Sequence, residues 1–367
     1  MTEEFVKRYG KYAHKIEIFG DTERGVRSTE PIHIGDILLR IPKEELWKGT
    51  HLELTKQLSE MDNEYSRSLP TDLTNFPVLW TPSQVNSLQG SAMKDMIPSR
   101  KNKLIEELGT DSPIMLRNRL LVGSRGFTLD EDTVLLVPYA DMMNHANEPS
   151  VDWKFDGKEF VMRALKEVDP NTELFDTYGI KTNYEQLLFY GMTLEDSLEN
   201  DVTYELIEIP VPFRQNLDYK YFQDTIEFEL CGAYSRGTVE IFSLLRFLVC
   251  ANAKRIDCPK TLLGLNCQPI SRRNETMVAK LMYNTLLKTY NQKLLDLKDA
   301  KGKVADFAHT EIRVIMHWLT TLPLAVDILS MDNQHKALKK LNKLRGTNDY
   351  LYKVVRPLVR NKISYKK

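Results

Sequence analysis

The 367-residue chain has only four cysteines, Cys231, Cys250, Cys258 and Cys267, with no CxxC pair and no histidine at zinc-ligand spacing. Neither a disulfide framework nor a zinc site is indicated. An excess of charge of one sign is also missing. Lys and Arg number 50 against 51 for Asp and Glu, a formal net charge of −1, which argues against a polyanion binder. No apolar run approaches the roughly 20 residues of a membrane span. The segment MTEEFVKRYGKYAHK is charged from its third residue and has no apolar h-region. Membrane insertion and secretion are therefore not expected, and a cytoplasmic or nuclear location with reduced thiols is. Repeats and low-complexity tracts are absent. His14, His33, His51, His309, His317 and His335 are scattered without ligand spacing, so they read as surface or core residues, and no metal is expected.

What is present divides the chain in two. Lys15–Phe19, Val26–Ser28 and Ile37–Ile41 read as short strands punctuated by Gly, Asp and Pro. From Glu44 to about Ser124 the apolar spacing becomes helical, as in KLIEELG and IMLRNRLLVG. Strands return at Val134–Pro138, on either side of Asp156-Gly157, a hairpin signal, and at Glu173–Phe175. After a β-like piece, ELIEIPVPF, long helical periodicities begin in VEIFSLLRFLVCA, ETMVAKLMYNTLLKTYNQKLLDL and HTEIRVIMHWLTTLPLAVDIL. We expect an α+β domain over residues 1–203, with a helical insert at about 44–124, and an all-helical domain over 204–367. From Lys336 to the end, eleven Lys and Arg face the single acid Asp349. That basic segment reads as a solvated helix face able to steer an acidic protein. Base-stacking aromatics are not interleaved with it, so nucleic acid is not an expected partner.

The segment VPYADMMNHANEP, Val137–Pro149, delivers Asp141, Asn144 and His145 at the end of an apolar run. Alone, D-x-x-N-H is a turn that caps a strand, because Asp and Asn are favoured turn formers. An amide and backbone groups held at a strand end also suit a small polar ligand. A second strand ending at Tyr178-Gly179 adds a hydroxyl that needs a partner when buried.

RGVRSTEPIHIGDILLRIP (Arg24–Pro42), GSRGF (Gly123–Phe127), VPYADMMNH (Val137–His145) and ELFDTYGIKTNYEQLLFYG (Glu173–Gly191), in that order, resemble the SET domain of protein methyltransferases. The resemblance is to the branch typified by the lysine methyltransferase of the Rubisco large subunit. It implies a β-fold with a pseudoknot-like core and a helical insert, followed by a helical substrate-binding domain. It further implies S-adenosylmethionine as methyl donor, with Thr22, Glu23, Arg24, Arg125, Asn144 and His145 around the donor and Tyr178 at the methyl-transfer centre. Phe127, Asp141, Trp153 and Tyr190 would line the substrate channel. Thr172, Thr22 and Ala146 depart from the residues usual in the family, Thr172 replacing a glycine.

The implied activity is methylation of lysine in a non-histone protein, held by the channel and the helical domain, by a monomer. Two other readings fit the same motifs. The branch also contains an actin-histidine methyltransferase, and a SET fold can persist as a binding module without catalysis. Phe127 and Tyr190 suit a lysine stem better than an imidazole, which needs a polar partner for its second nitrogen.

Overall fold

The computed structural model describes residues 2–20, 24–194, 198–208, 225–249, 268–298, 300–346 and 349–360. The chain divides into two compact units: Met1–Trp80, Asp95–Lys181 and Glu185–Met192 form the first, and Thr81–Lys94, Thr182–Tyr184 and Thr193–Lys367 the second. The segments 81–94 and 182–184 thus belong with the helical part, although they lie within the expected first domain.

Three small sheets form the first unit. The strands β1 (Ile16–Phe19), β2 (Gly25–Ser28), β7 (Asn144–His145) and β10 (Glu173–Asp176) take the order β1-β2-β10-β7. In a second sheet β3 (Ile37–Pro42), β9 (Glu159–Ala164) and β8 (Val151–Phe155) are neighbours in that order, and in a third β4 (Trp47–Gly49), β6 (Val134–Leu136) and β5 (Phe127–Thr128). All pairs are antiparallel except β10 with β7, where Phe175 pairs Asn144 and Asp176 pairs His145 in parallel. Gly157, at φ +90°, turns the β8–β9 hairpin, and the Asp156 carboxylate accepts from the Lys158 and Glu159 amides at 2.8 and 3.0 Å.

The insert is not helical from Glu44. Trp47–Gly49 is a strand fixed by its distant partner Val134–Leu136, and three residues are too few to show an alternation. Helices then follow: α2 (His51–Glu60), α3 (Glu64–Ser68), α4 (Pro82–Asn86), α5 (Met93–Leu108) and α6 (Pro113–Arg125). Thr50, Asn63 and Thr81 each close a reciprocal capping box, so α2, α3 and α4 begin where the sequence supplies an N-cap oxygen. One core holds this unit, with Phe5, Leu39, Tyr65, Leu135, Phe160 and Leu174 fully buried.

In the second unit β11 (Val202–Glu208) pairs antiparallel with β12 (Thr225–Cys231), a strand our sequence reading omitted. The long helices are α8 (Arg236–Leu248), α9 (Arg272–Leu297), α10 (Lys303–Ser330) and α11 (Gln334–Lys343). They bury Phe242, Trp318 and Tyr350 together. Against the expectation from the sequence, α10 is long and apolar enough to cross a membrane by length and composition. Half of its most apolar window is buried inside the protein, as in the core helix of a water-exposed domain, and Phe307, Ile315, Trp318 and Leu322 make up that face. Cys231 is buried and free, and Cys250, Cys258 and Cys267 lie outside the described residues. The exposed lysines 336, 339 and 343 of α11 stand opposite its buried Ala337 and Leu341. The last seven residues of the basic segment lie outside the described residues.

A buried charge cluster lies within the second unit. Lys293 Nζ is 3.5 Å from Glu205 and 3.3 Å from Glu311, and it donates to Gly90 O at 2.9 Å. Ser91 and Tyr184 donate to Glu311 and Thr203 donates to Glu205. Two carboxylates thus share one ammonium. Burial, followed by the Glu311 charge, pushes Glu205 from 4.5 to about 7 against the pull of Lys293. A raised folded-state pKa makes ionisation costly: the cost is absent below pH 4.5, grows as pH rises, and is complete above pH 7. Glu205→Gln is therefore expected to gain stability over the parent between pH 5 and pH 8, by up to about 3 kcal/mol. Denaturant midpoints of both proteins at the two pH values check this, and a difference that does not change with pH would sink it.

Candidate functional site

The site gathers where β7 pairs with β10. Tyr178 follows β10 and reaches back to β7 and the residue before it. Its amide donates to His145 Nδ1 at 3.0 Å, and its hydroxyl donates to Met143 O at 2.7 Å. The Tyr178 ring is stacked between His145 and Tyr190, each 5.0 Å away at 23° and 25°. Burial pushes the Tyr178 phenol well above its ordinary range, so it stays protonated. Burial also lowers the His145 pKa and keeps the ring neutral. Because Nδ1 accepts, the proton sits on Nε2, and that N–H is buried without a partner.

Asn144 uses both amide hydrogens, toward Arg24 O at 3.0 Å and Glu173 Oε1 at 2.8 Å. Room for Glu173 exists because residue 25 is glycine. A Cβ there would meet Glu173 Oε1 at 2.6 Å and the Phe19 ring at 2.9 Å. On the other side, Tyr139 takes the strained φ of +73° and its hydroxyl donates to Ile16 O at 3.2 Å, which fixes the turn that presents Asp141.

Asp141 lies at the floor, with a side chain closed to solvent. Arg125, the last residue of α6, donates to the Asp141 carbonyl at 2.7 Å and stands 3.5 Å from its carboxylate. Tyr65 donates to Oδ2 at 2.9 Å, while Oδ1 is buried without a partner. Burial raises the Asp141 pKa against the pull of Arg125, Tyr65 and Arg24. Arg24 donates to Ser68 O at 2.6 Å, and burial and the neighbouring Arg125 lower its pKa.

One hydrogen-bonded patch therefore holds Arg24, Arg125, Asp141, Asn144, His145 and Tyr178, with Tyr190 closing the stack. Thr22 and Glu23 lie outside the described residues. Phe127 and Trp153 belong to a different aromatic group: Phe127 meets Trp153 edge-on at 5.3 Å and Phe160 at 5.0 Å, and Trp153 stacks on Phe160. Three contributors were missed by sequence reasoning. Glu173 had a detectable signal, as the acid opening the strand that ends in Asp176-Thr177-Tyr178. Met143 acts through its carbonyl, and Tyr65 acts across 76 residues, so neither has a local signature.

The SET domain family model matches residues 23–179. The chain is 27% identical over 106 residues to ribosomal lysine N-methyltransferase 1 of Saccharomyces cerevisiae, a match covering 27% of this chain and 18% of that protein. SET domain-containing protein 4 of Artemia parthenogenetica is 24% identical over 240 residues, 52% of this chain and 60% of that one. N-lysine methyltransferase setd6 of Salmo salar is 22% identical over 153 residues, 41% and 30%. The matches thus span less than two thirds of each curated relative. Among solved structures, Rubisco LSMT bound to AdoMet aligns over 96% of this chain and all of its own, with TM-score 0.56 and 17% identity. The SET domain of LSMT bound to lysine and AdoHcy aligns over 95% and 97%, with TM-score 0.55 and 17% identity. Residues 23–179 thus match the SET domain family, in a chain with the fold of the Rubisco LSMT structures.

Proposed function

We propose that this chain is a protein-lysine N-methyltransferase that takes its methyl group from S-adenosylmethionine and acts on a non-histone protein. The observation that carries the reading is the Tyr178 hydroxyl, spent as a donor on Met143 O and held between two aromatic rings beside the β7–β10 pair. The site fits the methyl donor. The unpartnered His145 Nε2–H and Asp141 Oδ1 offer a donor and an acceptor, and Arg24 and Arg125 offer positive charge to a carboxylate. Arg24, Arg125, Asn144 and His145 would hold it, with Thr22 and Glu23 as further candidates. When bound, S-adenosylmethionine supplies an electrophilic methyl group on a sulfonium.

The residues do the rest by binding and orientation. An attacking lysine must be neutral, and in water only about one in a thousand is so near pH 7.4. Burial in the aromatic surround and repulsion by Arg24 and Arg125 both favour the neutral amine. Since the Tyr178 hydrogen is committed to Met143 O, its oxygen lone pairs are fixed acceptors, and the Met143 carbonyl is held beside them. Such oxygens orient and stabilise the positive charge that passes between the reactants. A histidine target would require a polar partner at Phe127, which instead packs on Trp153 and Phe160. Two curated relatives are named as lysine methyltransferases, which supports the same target.

We further assign the helical second unit and its basic face to docking of the substrate protein, and the monomer to the cytoplasm, with the nucleus as a second site. The test is transfer of tritium from labelled S-adenosylmethionine to proteins of a cell extract, followed by mass spectrometry. Label on lysine is expected. Label on an imidazole would overturn the target, and absence of any label would favour a binding module.

A further inference from the structure

Asp141 is held in an uneven way. Arg125 makes its short bond, 2.7 Å, to the Asp141 main chain and stands 3.5 Å from the carboxylate. The hydrogen bond that reaches the carboxylate comes from Tyr65, 2.9 Å from Oδ2. Tyr65 itself is fixed on every side. It stacks on Trp47 at 4.8 Å, its helix α3 begins at the Asn63 capping box, and its carbonyl accepts from Ser68 Oγ at 2.7 Å. The Ser68 carbonyl in turn accepts from Arg24. A five-residue helix of the insert is thereby fastened to the site at two points, a hydroxyl on Asp141 and a carbonyl on Arg24.

We infer that Tyr65 is a positioning residue: its hydroxyl aligns the Asp141 carboxylate and favours its charged form, and so ties the geometry of the insert to the charge of the site. The consequence for catalysis rests on the methyl-transfer reading, in which both reactants carry or develop positive charge and an ionised floor carboxylate attracts them. The groups that bear on Asp141 are Arg125 from α6, Arg24 before β2, Tyr65 from α3 and Tyr178 after β10. Arg125 acts on the carboxylate through its charge at 3.5 Å, while its short bond goes to the main chain, so the short directional bond to the carboxylate is the one from the Tyr65 hydroxyl.

The test needs no substrate. A bond that favours the carboxylate stabilises the fold only where Asp141 is ionised, so Tyr65→Phe should cost little at low pH and more as pH rises. We expect its loss in unfolding temperature to be larger at pH 8 than at pH 3.5 by about 2–4 °C. Trp47→Leu, which removes the stack and keeps the hydroxyl, should lose the same amount at both. In an Asp141→Asn background the pH-dependent part should vanish. A Tyr65→Phe loss equal at the two pH values would overturn the inference. As a second readout, calorimetric affinity for S-adenosylmethionine should begin its acid-side fall at higher pH in Tyr65→Phe than in the parent, the two differing by up to roughly tenfold within that fall. Replacing Tyr65 with 3-fluorotyrosine, a stronger donor of the same shape, should move that fall the other way and serves if the phenylalanine variant does not fold. Unmoved acid limbs in both variants would also overturn it. A parent that binds no S-adenosylmethionine while the pH-dependent stability loss persists would sink the methyl-transfer reading and leave the Tyr65–Asp141 coupling standing.

Discussion

Tyr178→Phe is expected to lower methyl turnover by about 10²–10³-fold while changing affinity for S-adenosylmethionine by less than about threefold. The ring stays between His145 and Tyr190, because stacking does not depend on the hydroxyl. What is lost is one fixed oxygen dipole and the donor that orients the Met143 carbonyl, so two acceptors near the transferred group are disturbed together. Such an effect appears in turnover and not in binding, since it acts where charge redistributes in the transition state. The Tyr178 phenol is pushed up by burial, so its ionisation adds no alkaline limb to the rate near neutral pH, and the phenylalanine variant should keep the pH profile of the parent. Single-turnover rates and calorimetry on the same preparation check both parts. Turnover within threefold of the parent would remove Tyr178 from the reaction centre.

The second large effect is on stability. Arg246 and Glu275 are buried to 2% and 0% exposure, and they meet through Nε–Oε2 at 2.8 Å and Nη2–Oε1 at 2.9 Å. Tyr350 donates to the same Glu275 oxygen at 2.8 Å, and Arg246 donates to the Tyr234 hydroxyl at 2.9 Å. Burial alone would lower the arginine pKa, and Glu275 more than reverses this, so the guanidinium remains charged inside the helical core. Glu275→Gln removes the carboxylate charge that meets two guanidinium nitrogens and should cost about 3–5 kcal/mol in a denaturant titration. Arg246→Met together with Glu275→Leu removes both charges and should cost less than the single change, although it takes one hydrogen-bond partner from each of Tyr234 and Tyr350. A double variant as unstable as the single one would show that packing, and not the loss of the anion beside the guanidinium, sets the cost.

Much of the first unit was readable because short motifs there must satisfy fixed backbone demands. Asp156-Gly157 turns the β8–β9 hairpin, and Lys15–Phe19, Val26–Ser28 and Ile37–Ile41 fall on β1, β2 and β3. Each is a local requirement with a narrow choice of residues. The parts that were not readable depend on partners far along the chain. Trp47–Gly49 is a strand only because Val134–Leu136 lies beside it. Thr225–Cys231 is different: TIEFELC alternates polar and apolar residues as a strand should, and the reading of the sequence passed over it between the longer helical periodicities. Phe127 and Trp153 pack on each other and on Phe160, a choice of neighbours that periodicity cannot encode.

The parallel pairing of β7 with β10 also dictates when the site can come into being. The β1–β2 and β8–β9 hairpins join neighbouring stretches and can form as soon as they leave the ribosome. β10 must instead insert between β2 and β7, pairing Leu174 with Val26 on one edge and Asp176 with His145 on the other. A nascent chain that ends before Glu173 can hold both hairpins and still lack the strand that carries Tyr178 into place. Methyl-donor binding is therefore expected to switch on in one step as that strand enters, and a ladder of released chains truncated between residues 172 and 190 would register it.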